Sequence, residues 1–462
     1  MKIKKLLAII LALSLCAMLF ACNKSDDQTS EDPAAPATSD SPAAPETSNT
    51  PAAPATSDTP SAPTNTQPSN DPGVAEETPD EPGEKVWPDG PPLKIGHICD
   101  LTGVESSTGL QASNAFAFAV KAIGGKIAGR TIEIIELDSQ SNPSAAADVA
   151  RQMVEVEGVA AIFGPTQIGH KSAVSEYIKE AGIPLIFYNG TPAGLFNSNP
   201  WLVGSAGTTV QLPTVMADYV YNEMGYRTIH TLSMDNTGGH SWIDPFVESF
   251  ENLGGQVLSQ QWHPVPCADF APYLVNLSEA DALVCWTSSA DAIAFWGSYT
   301  DLGIAEKMPV VAAFHGGFTD FFVPMALSHS NPSAAANVVG TVAPIMYTYS
   351  NDSPENKAFV DAWTEEFGSV PPGSNMPGDT YQALLLFKYA VESLDGDTDP
   401  DKLIEALFAA NFTGPGGHLY FDNSHAATKD VYIVQVVQMP DDSYNYDVVK
   451  TYKDVPPSGL VP

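Results

Sequence analysis

The chain reads as an α/β protein built of two doubly wound lobes, and three observations lead there. Apolar runs too short for helices alternate with segments of helical spacing, the pattern of β-α units around a parallel sheet. The alternation runs from residue 93 to 191, pauses, and resumes from 209. The part beyond residue 90 is about 370 residues long, too large for one ordinary core.

Taken in order, residues 93–99 (LKIGHIC) are the first strand, ended by Asp100-Leu101-Thr102-Gly103. A helix over 109–123 carries Ala112, Ala115, Phe116, Ala119, Val120 and Ile123 on one face. Residues 131–137 are the second strand. Pro143 and Ser144 suit the start of a helix that continues through 145–156. The run 159–163 is a buried strand, 172–181 has helical spacing, Gly182 stands at a helix C-cap position, and 183–187 is another strand. Ligands of parallel sheets sit outside the carboxyl ends of the strands. The polar turns 164–171 and 189–191 fall at that edge, and they form half of a small-molecule site.

After an irregular stretch over 195–203, where Trp201 packs, a helix over 209–224 opens the second series. Strands are expected at 228–234, 256–261, 282–285, 309–314 and 338–343, with helices running to 252 and over 270–277 and 290–302. Helices at 356–367, 379–393 and 400–411 follow, then strands at 419–422 and 431–439. At the strand ends, Asp235, Trp286, Thr287 and His315 are candidate cleft residues, and Trp242 lies just inside the next helix. Asp235 and Asp100 could equally be turn formers, His315 an exposed loop residue, and His170 a helix cap. His97, within a strand, belongs to the core.

The N-terminus is of a different kind. Residues 1–22 read as a secretory signal: lysines at 2, 4 and 5, an apolar stretch over 6–20, then Leu19-Phe20-Ala21-Cys22. This end resembles the bacterial lipoprotein lipobox, which implies cleavage before Cys22 and a lipid on its sulfur; an ordinary secretory signal is the alternative. Residues 23–90 repeat Pro, Ala, Thr, Ser and Asp, lack apolar mass to bury, and read as a disordered tether or a glycosylated stalk. The formal net charge of −35 leaves no basic stripe for nucleic acid or an anionic membrane surface. Once Cys16 and Cys22 are set aside, Cys99, Cys267 and Cys285 remain, as buried free thiols or with 267 and 285 paired. No phosphate fingerprint, nucleophile elbow, metal spacing or paired-carboxylate signature appears, so neither a cofactor nor an enzyme is indicated.

Several segments together carry a family resemblance: Leu93-Lys94-Ile95-Gly96 with Leu101-Thr102-Gly103, Gly124-Gly125 before a strand, Ile162-Phe163-Gly164-Pro165, Gly182-Ile183-Pro184-Leu185-Ile186, Asp269-Phe270 and Phe421-Asp422. In this order and spacing, over residues 93–438, the chain resembles the substrate-binding proteins of branched-chain amino acid ABC importers, the type I periplasmic binding fold. The resemblance implies two lobes joined by three crossovers, near 208–211, 343–347 and 421–425. Lobe one is then 91–209 with 345–422, and lobe two 210–344 with 423–462. It implies a ligand carboxylate held by Ile168, Gly169 and His170 and by Asn189, Gly190 and Thr191, of which Thr191 keeps the family's hydroxyl. Ile168 replaces a usual serine, Thr108 an aromatic, and His315 the glutamate that meets a ligand ammonium. Trp242 and Trp286 offer apolar planes instead. The implied partner set is a small molecule (amino acid, amide, or small carboxylic or aromatic acid), a permease with its ATPase subunits, and the membrane through the lipid. A ligand-sensing co-receptor using the same cleft is the alternative, and an enzyme on the same scaffold a more distant one.

Overall fold

A computed structural model describes residues 85–459, except 104, 288, 320–321, 372–374 and 423. The expected signal segment, Cys22 and most of the expected tether lie outside the described residues. The folded body begins inside the segment assigned to the tether: Trp87 packs against the first core, and the Arg130 guanidinium donates to the carbonyls of Pro91 and Pro92.

One sheet has six strands: β1 (Leu93–Cys99), β2 (Lys126–Ile127), β3 (Arg130–Asp138), β4 (Ile162–Phe163), β5 (Leu185–Phe187) and β6 (Leu202–Gly204). Their order is β2-β3-β1-β4-β5-β6, all parallel except β2, which is antiparallel to β3. The second sheet contains β7 (Thr228–Met234), β8 (Gln256–His263), β9 (Ala282–Trp286), β10 (Val310–Ala312) and β11 (Val342–Ile345) as a parallel set in the order β11-β10-β9-β7-β8. Antiparallel strands β12 (Asn411–Gly414), β13 (Gly417–Phe421), β14 (Ala427–Gln438) and β15 (Tyr444–Val455) extend it. Within each series the parallel strands follow one order: second, first, third, fourth, fifth. This doubly wound order places ligands where the winding reverses.

Helices cover both faces of each sheet. On the first, α1 (Ser106–Ala122) lies on one face with the later α12 (Met376–Ser393) and α13 (Pro400–Phe408). The other face carries α2 (Pro143–Gln152) and α3 (Ile168–Ala181). On the second, α5 (Gln211–Asp218) and α6 (Thr237–Asn252) share one core, while α8 (Ser289–Asp301), α9 (Phe322–Ser330) and α10 (Pro332–Val338) share the other. Strands sandwiched in this way bury both faces, which is why they read as near-continuous apolar runs. Two short helices, α4 (Ala193–Phe196) and α7 (Ala271–Leu274), and the 14-residue α11 (Pro354–Phe367) are also described.

The helix that follows the first strand of each series begins against the backbone at that strand's end. A Cβ on Gly109 would lie 2.0 Å from the Asp100 carbonyl oxygen, and one on Gly239 would lie 2.0 Å from that of Met234. The chain moves from the first sheet to the second between β6 and α5. There the Gln211 side chain donates to the carbonyls of Ala427 and Val455, binding the crossing to β14 and β15.

Several boundaries differ from expectation. Val338 closes α10, and β11 starts at Val342; Asn331 caps α10 by accepting from Ala334 N, and Pro332 fills its first turn. The helix expected over 270–277 is the single turn α7. The helix expected to reach Met224 turns π-helical at Tyr219–Glu223. Strand β13, expected in lobe one, hydrogen-bonds to β14 in the second sheet while its Leu419 side chain enters the first core. Cys99, Cys267 and Cys285 are all buried and free.

Candidate functional site

The carboxyl ends of the parallel strands of both sheets border one cavity of about 440 Å³. On the first-sheet side it is lined by the start of α1 (Glu105, Ser107, Thr108, Gln111), the turn after β4 (residues 166–169) and the turn after β5 (Asn189, Gly190). On the other side stand the end of β7 with the start of α6 (Met234, Asn236, Thr237, Gly238, Trp242), then Val265, Trp286, Phe314, Gly316 and Gly317. Asn375 and Met376 at the start of α12 close it.

The first-sheet wall is built of backbone and amides. Gln167 precedes α3 and makes no side-chain cap, so the first-turn N–H groups of that helix lack intrahelical partners. A Cβ on Gly169 would meet nothing within 4 Å, so the backbone there is open to the cavity. This end is favourable to an anion. His170 lies below the surface, its Nδ1 3.1 Å from Asp100 Oδ1. Burial disfavours the charged form of Asp100, but hydrogen bonds from His170, Ser139 and Thr166 outweigh it and hold the carboxyl below its usual range. Asn189 Nδ2 donates to the Thr166 carbonyl at 2.8 Å, joining the two turns. Glu105 is the one carboxylate among the described lining residues. It accepts from Gln167 Nε2 at 3.2 Å, and burial, then the charge of Asp100, pushes its pKa up.

The opposite wall is aromatic. Trp242 and Phe314 stack with centroids 4.0 Å apart and planes within 4°. Trp286 stands 6.3 Å from Trp242 and 6.0 Å from Phe314, and its Nε1 donates to the Gly316 carbonyl at 2.6 Å. Rings held this way present a fixed apolar surface to a flat or branched solute.

Of the residues picked from sequence, Thr108, Ile168, Gly169, Asn189, Gly190, Trp242 and Trp286 line the cavity. His170, Thr191, Thr287 and His315 lie buried behind its walls, and Asp235 is exposed beside His240. His315 corrects the expectation most. Its Nε2 is 3.0 Å from Asn375 Oδ1 and its Nδ1 3.2 Å from the Pro344 carbonyl, so Asn375, not the imidazole, meets the cavity. Burial lowers its pKa to about 4, and the neutral ring donates to only one of these two oxygens. Sequence reasoning passed over Glu105, Gln111, Phe314 and Asn375. The first two stand at a helix start already placed at the cleft and Phe314 at an expected strand end, both usable signals; Asn375 had none.

Among the described residues, His97, Cys99 and Glu136 bring ligand-type atoms within 4.8 Å of one another, beneath α1. They already satisfy one another: His97 Nδ1 is 2.8 Å from Glu136 Oε2, and its Nε2 is 3.0 Å from Tyr188 Oη. Burial and the Glu136 charge push the Cys99 thiol up. The trio is a hydrogen-bonded core network, and His97 is buried as expected.

A family model described as "Periplasmic binding protein" matches residues 92–442. The Leu/Ile/Val-binding protein homolog 6 of Brucella suis is 22% identical over 375 residues, 80% of this chain and 93% of that protein. An ABC transporter substrate-binding protein from Sphaerobacter thermophilus is 28% identical with a TM-score of 0.73, covering 80% of this chain and 100% of that one. The solute binding protein of an ABC transporter from Rhodopseudomonas palustris, in complex with 3,4-dihydroxybenzoic acid, is 25% identical with a TM-score of 0.69, covering 79% and 99%.

Proposed function

The chain belongs to the periplasmic binding protein family, a family of solute receptors and not of enzymes, and on that footing we propose that its cavity holds a small amphipathic solute between a polar wall and an aromatic one. The family places it outside the cytoplasm as the binding component of an ABC transporter. The observation that carries the ligand reading is the opposition of the two walls. An uncapped helix start and two amide-bearing turns face the stacked pair Trp242–Phe314 with Trp286 beside it. Thr108, Ile168, Gly169, Asn189 and Gly190 contact the polar end of the solute, and the tryptophans its apolar body. His170, Thr191, Thr287 and His315 fix those contacts from behind. The Rhodopseudomonas relative holds 3,4-dihydroxybenzoic acid, a flat ring with polar groups at its ends.

The sequence supports a further part of the reading. Cys22 carries lipid, residues 23 to about 85 tether the receptor to the membrane, and two lobes, one around each sheet, close on the solute and present it to a permease with its ATPase subunits. A thermal-shift screen over amino acids, aromatic acids and their amides tests the central claim. A ligand at a hundredfold excess over its Kd stabilises the folded form by about 2.7 kcal/mol, enough to raise Tm measurably. A panel in which no compound shifts Tm removes the cavity from consideration as a solute site.

A further inference from the structure

Glu105 is the only ionisable side chain among the described residues that line the cavity, and it has no counter-ion among the described residues. It stands just before α1, where its side chain caps nothing. Its partner is one neutral donor: Oε2 accepts from Gln167 Nε2 at 3.2 Å. The other oxygen, Oε1, has no hydrogen-bond partner among the described residues. Burial, then the charge of Asp100, pushes the pKa up. The one influence that favours the charge comes from His170, whose Nδ1 lies 3.1 Å from Asp100 Oδ1 and is engaged there. A half-buried carboxylate in this state is costly to ionise until a cation comes beside it.

The aromatic wall points to the same sign of solute independently. Trp242 and Phe314 lie within 4° of parallel, and the plane of Trp286 stands at 64° to the first and 60° to the second, so the three rings make a corner. Trp286 spends its one polar atom on the Gly316 carbonyl, which leaves its ring to the cavity. The face of an aromatic ring carries the negative part of its quadrupole and attracts a cation within about 6 Å of the centroid. The start of α3 supplies the opposite sign, but only as the partial charge of its N–H groups. Gln167 precedes that helix and also holds Glu105, so a simple acid seated there would bring a second negative charge close to the first.

We propose that Glu105 is a specificity-determining residue, which makes the cavity prefer solutes bearing an ammonium group to neutral or acidic molecules of the same shape. Its free oxygen meets the cation, and the ring faces opposite receive the rest of the solute. Glu105 belongs to the first-sheet wall, whereas His315 follows β10 of the second sheet and is buried. The inference rests on the solute-site reading above and narrows it: an amine is taken with or without a carboxylate, and acids or amides that lack an amine are disfavoured. A carboxylate in contact with an ammonium, screened part-way by solvent, separates that cation from its neutral isostere by about tenfold or more.

The test measures benzylamine, benzyl alcohol and benzoate by calorimetry on the folded receptor at neutral pH. Wild-type protein should favour the amine over the alcohol by at least about tenfold, and should hold it more tightly than benzoate. Glu105→Gln keeps the length of the side chain and an oxygen for Gln167, and it should bring the ratio of amine to alcohol below about threefold. A glutamate of merely structural role would weaken both probes together, leaving the ratio untouched. Glu105→Ala should show the same loss of ratio and answers for the glutamine variant if that one fails to fold. An undiminished ratio in a folded variant overturns the inference alone, as does wild-type protein that binds amine and alcohol equally or benzoate more tightly than the amine. Wild-type protein that binds none of the three also overturns it; if the thermal-shift panel is silent as well, the solute reading falls with it.

Discussion

The ion pair Asp379–Lys429 offers the most demanding test of how the body is held around the cavity. Both side chains are fully buried, with Nζ 2.9 Å from Oδ1. Asp379 Oδ2 accepts from Asn375 Nδ2 at 2.6 Å, and Asn375 Oδ1 faces His315 Nε2 at 3.0 Å. Asp379 and Asn375 belong to α12 and its start, which pack on the first core, while Lys429 lies on β14 and His315 follows β10, both in the second sheet. The chain of contacts therefore bridges the two layers at the floor of the cavity. Asp379→Asn leaves the Lys429 ammonium buried without a partner, at a cost of about 3–5 kcal/mol. Lys429→Met strands the carboxylate at a similar cost. The double substitution removes both charges and should lie within about 2 kcal/mol of wild type, since well-packed neutral groups replace buried pairs with little loss. Urea denaturation of the four proteins at pH 7 reads the cycle. Single variants that lose under 1 kcal/mol, or a double variant that loses the sum, would refute a buried charged pair.

Further outcomes follow from the same geometry. Because His315 is held near pKa 4 when folded and returns to about 6.5 unfolded, the unfolded state binds the extra proton between those values. Stability is then full above pH 6.5 and falls by about 3 kcal/mol as pH drops to 4; His315→Asn should flatten the acid limb of Tm against pH, with burial-lowered His97 and His263 supplying the rest, and a limb of equal slope would count against it. A Cβ on Gly190 would lie 2.7 Å from Trp242 Cη2, so Gly190→Ala should part the polar turn from the aromatic wall, lowering solute affinity by roughly tenfold while unliganded Tm barely changes; unchanged affinity would show that the walls need not meet there. The overall charge of −35 repels an anionic solute from a distance, so its association rate should rise with added salt as the Debye length falls from about 30 Å at 0.01 M to about 8 Å at 0.15 M; stopped-flow rates that fall with salt would contradict this.

What the sequence made legible depended on how local its cause was. β1 and β7 match their expected bounds to the residue because an apolar run between polar turns determines a buried strand. Gly182, at φ 67°, ends α3 as its position implied. β15 passed unnoticed although buried Tyr444 and Tyr446 alternate with polar neighbours; the polar content of residues 444–455 hid a strand whose pairing with β14 supplies its burial. The stacked pair Trp242–Phe314 joins a helix to a strand end 72 positions later in the chain, as their numbers show, and no window contains both. His315 was singled out as a departure from the family pattern, yet its partner Asn375 comes from another helix, so its retreat behind the wall could not be read.

The residues that decide selectivity need not be those that touch the solute. The polar wall exposes chiefly backbone, amides and hydroxyls, which many solutes would satisfy equally. What orients those groups is a buried layer of ionisable side chains: Asp100 beside His170 under the helix start, Lys171 under the Asn189 turn, and Asp379 with Lys429 below Asn375. Asp100, Lys171, Asp379 and Lys429 are each fixed by hydrogen bonds in low dielectric, where a change of charge is felt strongly by the groups above. The aromatic wall has no such layer; it constrains size and flatness. Exchanging a lining residue should therefore alter a direct contact with the solute, whereas exchanging Asp379 should alter one through Asn375, whose side chain it holds.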